Sequence, residues 1–232
     1  MAVIDYIRTP LALITLTFLV YWGASWLRRR TGLALLNPMI VTIGLLIVFL
    51  RLTGISFGEY YEGGKMIEFW LKPAIVALGL PLFYELKNIR RQFMPLFLTE
   101  VAGSLTGIIS VVLIAKLLGA TPDVIRSLAP KSVSTPIAIE ITAQLGGIPA
   151  LTSAIVVIVG MIGAVMGLKV MEMGNVKSPV SKSLSMGTAA HVIGTNRISE
   201  YGARYGAYST LGLILNGILT AFFAGPVLDL LL

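Results

Sequence analysis

The sequence predicts an all-α, polytopic integral membrane protein of about seven to eight spans, some of them broken or re-entrant. Two compositional observations carry this. Of the 232 residues, 56% are hydrophobic and only 12% are charged, where a soluble domain has about 25% charged residues. Mean hydropathy is +0.88. The third observation is a pattern: apolar runs near the roughly 20 residues that a span requires recur along the chain, separated by short polar segments. Residues 1–232 are therefore read as a single transmembrane domain, with no length left for a soluble catalytic domain. The absence of cysteine excludes disulfides and thiolate metal sites. The net charge of +7 does not point to nucleic acid, because basic residues in short loops of a membrane protein mark its cytoplasmic side.

Residues 10–27 form the first span. The run is longer than a signal-peptide core and has no small-residue cleavage pattern, so it is expected to stay in the chain. Tyr21, Trp22 and Trp26 form an interfacial belt before the cytoplasmic anchor Arg28-Arg29-Arg30. This span runs from outside to inside. Span 2 covers 33–54, with Asn37-Pro38 breaking its start. The segment from Glu59 to Glu68 is acidic on balance and is read as an external loop. Span 3, 70–85, is short and carries Pro73, Gly79 and Pro81. Lys87, Arg90 and Arg91 then mark an internal loop, and span 4 covers 93–118.

Segment 119–147 contains Leu128 to Ile141, LAPKSVSTPIAIEI, with Pro130 and Pro136 six apart. One uninterrupted helix cannot hold both, because each removes a donor and clashes with the preceding turn. Irregular backbone at membrane depth survives only where protein or a water-filled cavity satisfies it. A broken helix lining a polar path is expected here. Span 6 covers 150–171, span 7 is the short 183–195, and span 8 covers 205–232. Short, Gly/Pro-interrupted spans in corresponding places point to an inverted repeat, with halves 10–119 and 120–232. If 124–145 crosses fully, Lys177 and Lys182 lie outside; if it is re-entrant they lie inside. The re-entrant form satisfies the positive-inside rule and the repeat together and is the one expected.

The candidate site residues fall in two clusters. Thr135-Pro136 is a helix-start signal, with a hydroxyl at the N-cap and proline at the first helical position. A helix N-terminus attracts anions. Lys131 adds a full charge beside it, and Ser132, Ser134 and Thr135 add donors, a set suited to a small carboxylate. The bland alternative has Lys131 reaching the interface and the hydroxyls only capping. The second cluster holds His191, Gly194, Thr195, Asn196 and Arg197. His191, the only histidine, either moves a proton near neutral pH or is a hydrogen-bonded structural residue. Gly194-Thr195-Asn196 is expected to end the short helix. Arg197 either holds a carboxylate bidentately or anchors the interface. Glu200 and Arg204, four apart, are read as a structural pair. Glu100, inside span 4, either pairs with a basic residue from another span or takes part in proton coupling, and Glu140, four residues after Pro136, raises the same question. The GxxxG motifs Gly103–Gly107, Gly163–Gly167 and Gly202–Gly206 serve either packing within the chain or a dimer interface. No nucleophile–base pair, phosphate loop or metal-ligand spacing is visible, so neither an enzyme, a cofactor nor a metal is expected.

Leu128 to Ala138, then Gly146-Gly-Ile-Pro-Ala-Leu-Thr152, then Ala190-His191 through Gly194-Thr195 and Arg197 to Glu200 resemble three ordered motifs of the LrgB/CidB family. Ser134 stands where threonine is usual and Asn196 where alanine is usual. The resemblance implies a multi-pass protein of the bacterial inner membrane; a homodimer is also expected, with the GxxxG motifs as its candidate interface. It also implies a fold similar to bile-acid symporters and cation/proton antiporters. Two functions are implied. One is a holin/antiholin-like control of murein hydrolase release with a small LrgA/CidA-type membrane partner. The other is transport of small monocarboxylates, since plastid glycolate/glycerate translocators are similar over this region. The residue reading favours transport of a glycolate-, glycerate-, lactate- or pyruvate-like anion, because a lesion-forming holin needs no cationic, proline-broken segment at mid-membrane.

Overall fold

The computed structural model describes residues 7–31, 38–77 and 79–232, and every regular element among them is an α-helix. The chain packs as two compact units, 1–77 and 78–232. The halves read from the sequence meet at 119/120, inside the second unit.

In the first unit, α1 (Pro10–Thr31) packs on α2 (Pro38–Thr53) and α3 (Phe57–Ala77). Arg30 stacks on the Trp26 ring at 4.9 Å, which fits the basic, aromatic end expected for this span. Asn37 lies outside the described residues, and Pro38 opens α2 in the position where its missing N–H is harmless. The segment expected as an external loop is helical from Phe57 onward. A capping box starts it: the Ser56 N–H donates to Glu59 Oε2 at 2.7 Å and the Glu59 N–H to Ser56 Oγ at 3.2 Å. The Ser56 backbone bond, then its hydroxyl, hold the Glu59 carboxyl below the usual range. Pro73 lies inside α3 without ending it. Span 3 is therefore not a short 70–85 helix but the end of α3 followed by a separate α4 (Gly79–Tyr84). Pro81 sits in the first turn of α4, where proline is tolerated, and breaks nothing.

The second unit continues with α5 (Leu86–Arg91), α6 (Phe93–Leu117), α7 (Pro122–Leu128), α8 (Thr135–Gln144), α9 (Pro149–Met173), α10 (Pro179–Ser199) and α11 (Ala203–Leu231). Among the described residues, α1, α6, α9 and α11 are long and apolar enough to cross a membrane. The 25 residues of α6 rise about 37 Å, beyond the roughly 30 Å of a hydrocarbon core. α11 is central and packs on α4, α6, α8 and α10.

Helices α7 and α8 form a hairpin that returns to the end of α6 from which it leaves. At 7 and 10 residues they rise about 10 and 15 Å, too little to span. The chain leaves the end of α6, descends through α7 and breaks at 129–134. There the Lys131 ammonium reaches the Gly107 carbonyl, near the middle of α6. α8 returns beside α11: Ile137 lies at Gly217 and Leu145 at Gly225. Ile125, Ala129 and Ile141 share one core with Ile108, Val112, Ala224 and Leu228. The turn into α9 closes the loop, with the Ile148 N–H donating to Ser127 Oγ at 2.7 Å and Thr152 Oγ1 to the Ser127 carbonyl at 2.9 Å.

Helix α10 is a second hairpin, folded at Ala190 (φ −126°, ψ 16°) and His191 (φ 42°, ψ −137°). Gly187 and Thr195, one on each arm, both meet Ser209. The expected break at Gly194-Thr195-Asn196 is corrected to Ala190–His191. Gly194 serves close packing instead. A Cβ there would come within 2.5 Å of the Met186 carbonyl oxygen, so its bareness lets the returning arm lie on the first. Beyond the fold, Ser199 lies against Gly206. Gly103, Gly163, Gly167 and Gly206 face Thr188, Ala190, Met186 and Ser199, so these motif glycines serve helix approach within the chain.

The two hairpins descend from opposite ends of the unit. One end gathers Lys87, Arg90, Arg91, Lys169, Lys177, Lys182, Arg197 and Arg204, while the other holds Lys116 and Arg126.

Gly187 tests the second hairpin. A Cβ there would collide with the Ser209 carbonyl of α11, which is helix backbone and cannot yield. Gly187→Val is expected to abolish the monodisperse peak in detergent gel filtration. Gly44→Ala, with nothing within 4 Å, is expected to leave that peak unchanged.

Candidate functional site

The breaks of both hairpins come to one place. Between α6, the 129–132 segment, the first arm of α10 and α11 lies a cavity of about 570 Å³, within the usual size range of small-molecule sites. Its wall carries one ammonium, Lys131, and one carboxyl, Glu100. Thr99, Ser104, Thr106, Ser132, Ser185, Thr188, Asn216 and Thr220 add polar groups, and the remainder is apolar.

Lys131 is half-buried; its Nζ donates to the Gly107 carbonyl at 3.0 Å and lies 3.5 Å from Ser132 Oγ. Among the described residues no carboxylate pairs with it. These two contacts, the second long, engage two of its three donors, so the ammonium keeps capacity for an anion.

Glu100 is 1% exposed. Thr188 Oγ1 lies 2.6 Å from Glu100 Oε1 and 2.8 Å from the Leu184 carbonyl. Glu100 Oε2 has no hydrogen-bond partner among the described residues.

Asn216 joins the two breaks. Its Nδ2 donates to the Ser132 carbonyl at 3.0 Å and to the Thr188 carbonyl at 2.9 Å, while Oδ1 accepts from Ser104 Oγ at 2.5 Å and Thr220 Oγ1 at 3.4 Å. Both donors and both acceptor positions of the amide are used. Sequence reasoning passed over Asn216, Ser104 and Thr188. The available signal was a lone amide within a long apolar helix, where a polar side chain is expected to have an interior partner.

The other expected residues lie elsewhere. The lining ends at Ser132 and does not include Ser134 or Thr135. The N-cap is Ser134, extended at φ −64°, ψ 145°, with Thr135 and Pro136 already helical; the cap read from the sequence is one residue late. Pro130 lies in the break itself. His191 is buried with Nε2 2.8 Å from the Val156 carbonyl of α9. The bare faces of Gly160 and Gly163 receive the His191 ring and Ala190. Thr195 is buried against Ser209 Oγ at 3.0 Å, and Asn196 is exposed. Arg197 pairs with Glu200 and lies 5.8 Å from the Tyr201 ring. The expected Glu200–Arg204 pair is thereby replaced: Arg204 lies over Tyr208 instead, at 5.9 Å. Glu140 is exposed and accepts from Gln144 Nε2 at 2.9 Å. None of these lines the cavity. Among the described residues no group of three or more His, Asp or Glu is placed to hold a metal.

Long apolar helices, two broken hairpins and, at their junction, a largely apolar cavity carrying one ammonium and one carboxyl define a multi-pass membrane protein. The family model described as LrgB-like matches residues 17–230, and the chain belongs to that family. It is 30% identical over 227 residues to the holin-like protein CidB of Staphylococcus epidermidis, covering 98% of each chain. It is 32% identical over 213 residues to the antiholin-like protein LrgB of Bacillus cereus, covering 91% of this chain and 93% of that one. An uncharacterized protein of Haemophilus influenzae is 35% identical over 216 residues, 93% of this chain and 94% of that one. No solved structure matches.

Proposed function

We propose that this protein carries small monocarboxylates across the bacterial cytoplasmic membrane, glycolate, glycerate, lactate and pyruvate being the fitting sizes. The observation that supports it most is Lys131: an ammonium with no carboxylate partner among the described residues, at the break of a re-entrant hairpin, on the wall of a largely apolar cavity. An ionisable group at membrane depth marks a substrate path. Lys131 takes the carboxylate, and the Ser132 hydroxyl lies beside it to assist. Hairpins descending from opposite ends around one site suit alternating access, in which one bundle rocks against another.

A second reading is favoured by the relatives' names, holin-like and antiholin-like. In it the chain regulates murein hydrolase export and lysis together with a small LrgA/CidA-type membrane protein. The purified protein in proteoliposomes separates the two. A transporter takes up labelled glycolate saturably and is inhibited by unlabelled glycolate or lactate. Equal, non-saturating release of glycolate, a sugar and a fluorescent dye would refute transport and leave the holin-like reading.

A further inference from the structure

Glu100 is a carboxyl that the fold has buried at high cost and left half-used. Thr188 meets Oε1, and among the described residues Oε2 has no donor and no cation touches the group. Burying an ionised carboxylate so poorly paired is unfavourable. Thr188 supplies the decisive geometry. Its hydroxyl has one hydrogen and two acceptors in reach, Glu100 Oε1 at 2.6 Å and the Leu184 carbonyl at 2.8 Å. With a proton on Oε1, the contacts form a complete series: Glu100 O–H donates to Thr188 Oγ1, and Thr188 O–H donates to the Leu184 carbonyl. Without that proton, the threonine must abandon one acceptor.

We propose that Glu100, through Thr188, carries a proton that crosses with the anion held at Lys131, so that the cavity loads one proton and one monocarboxylate together. The groups facing Glu100 fit this. Among the described residues, Lys131, from the hairpin break, is the only charged group that shares the lining. Val159 from α9, Leu184, Ser185 and Ala189 from α10, and Asn216 from α11 are uncharged. Tyr208 of α11 packs on Leu184 but is not part of the wall. One cation thus serves two carboxyl groups once the anion arrives. Like charges in one low-dielectric cavity disfavour each other, so anion binding favours the proton, and the proton favours the anion by the same factor. The proton enters Oε1 from one side and leaves Oε1 to the other; no bond to the substrate forms or breaks. A proton and an anion crossing together move no net charge.

This inference rests on the transport reading, and the test separates them. Proteoliposomes carry wild type, Glu100→Gln, Thr188→Val or the exposed control Glu140→Gln. Two quantities are measured with labelled glycolate: exchange against internal glycolate at equal pH, and accumulation driven by an inward proton gradient. Wild type and Glu140→Gln should exchange and accumulate at least fivefold, with rates unaltered by an imposed potassium diffusion potential. Glu100→Gln, which keeps the shape and the acceptor for Thr188 but cannot carry the proton, should exchange within threefold of wild type and fail to accumulate. Thr188→Val should shift the pH profile of uptake while retaining exchange. Parental accumulation by Glu100→Gln overturns the proposal. So does a Glu100→Gln variant lacking exchange if Thr188→Val keeps the parental profile. A wild type that exchanges but never accumulates sinks proton coupling and leaves transport standing; a wild type with no saturable exchange removes both.

Discussion

Lys131→Met raises the KM for glycolate at least about 30-fold and leaves no saturable phase below millimolar substrate. The methionine keeps the apolar stem of the lysine but cannot offer an N–H to a carboxylate. A hydrogen bond to a charged group is worth about 1.5–3 kcal/mol, and every 1.4 kcal/mol is a factor of ten in affinity. The variant also frees the Gly107 carbonyl, which Lys131 holds at 3.0 Å. That carbonyl is within α6, where helical backbone partners remain, so the fold should survive. The control is the apparent unfolding temperature in detergent, expected within a few degrees of the parent. Lys131→Arg keeps the charge and should recover part of the affinity. Unchanged saturation kinetics in the methionine variant, with the fold intact, would place the carboxylate elsewhere and return Arg197 to consideration.

The largest stability effect is expected at Asn216→Leu. The two breaks free carbonyls that helices would otherwise satisfy. Ser132 lies in non-helical backbone, and the ladder partner of the Thr188 carbonyl would be Val192, beyond the fold at Ala190–His191. One amide serves both, at 3.0 and 2.9 Å, and accepts from Ser104 on a third segment. Leucine has similar volume and no polar atom, so all four partners of the amide lose it, the Ser132 and Thr188 carbonyls and the Ser104 and Thr220 hydroxyls. At about 1–3 kcal/mol for each unsatisfied group, tempered by the smaller values measured between membrane helices, the loss should be roughly 3 kcal/mol. For a chain of this size that lowers the unfolding temperature by about 6–12 °C. Thr220→Val removes only the 3.4 Å contact and should shift it by about 2 °C or less. Equal, small shifts in both variants would show that Asn216 does not hold the hairpins together.

The first hairpin was legible because proline marks it covalently. Pro130 and Pro136 exclude one helix whatever surrounds them, and the break lies between them. The second was misplaced by a few residues for an equally physical reason. Nothing in Ala190 or His191 forces a turn; a non-glycine residue at φ 42° is held there by its surroundings. Those surroundings are the Val156 carbonyl and the bare faces of Gly160 and Gly163, on a helix some thirty residues earlier. Local pattern reading cannot see such a contact, so it chose Gly194, whose bareness serves close approach instead. The same distinction explains the site. Lys131 and Glu100 stand out as charges in apolar runs. Thr188 and Asn216 matter only because folding brings them to the two breaks. Reading Glu59 to Glu68 as a loop failed by weighting charge over the capping box that begins α3.

The two hairpins also bear on how the chain is made. The α7 and α8 arms, at 7 and 10 residues, and the α10 arms, of about 16 and 12 Å, fall well short of the bilayer core. Each carries polar groups that lipid would not accept alone. During synthesis, neither hairpin holds its place until the helix that follows has entered the membrane: α9 for the first, α11 for the second. Depth in this protein is therefore conferred late and from outside the segment that possesses it, and a chain interrupted before Ala203 should expose its second hairpin to the side where it was made.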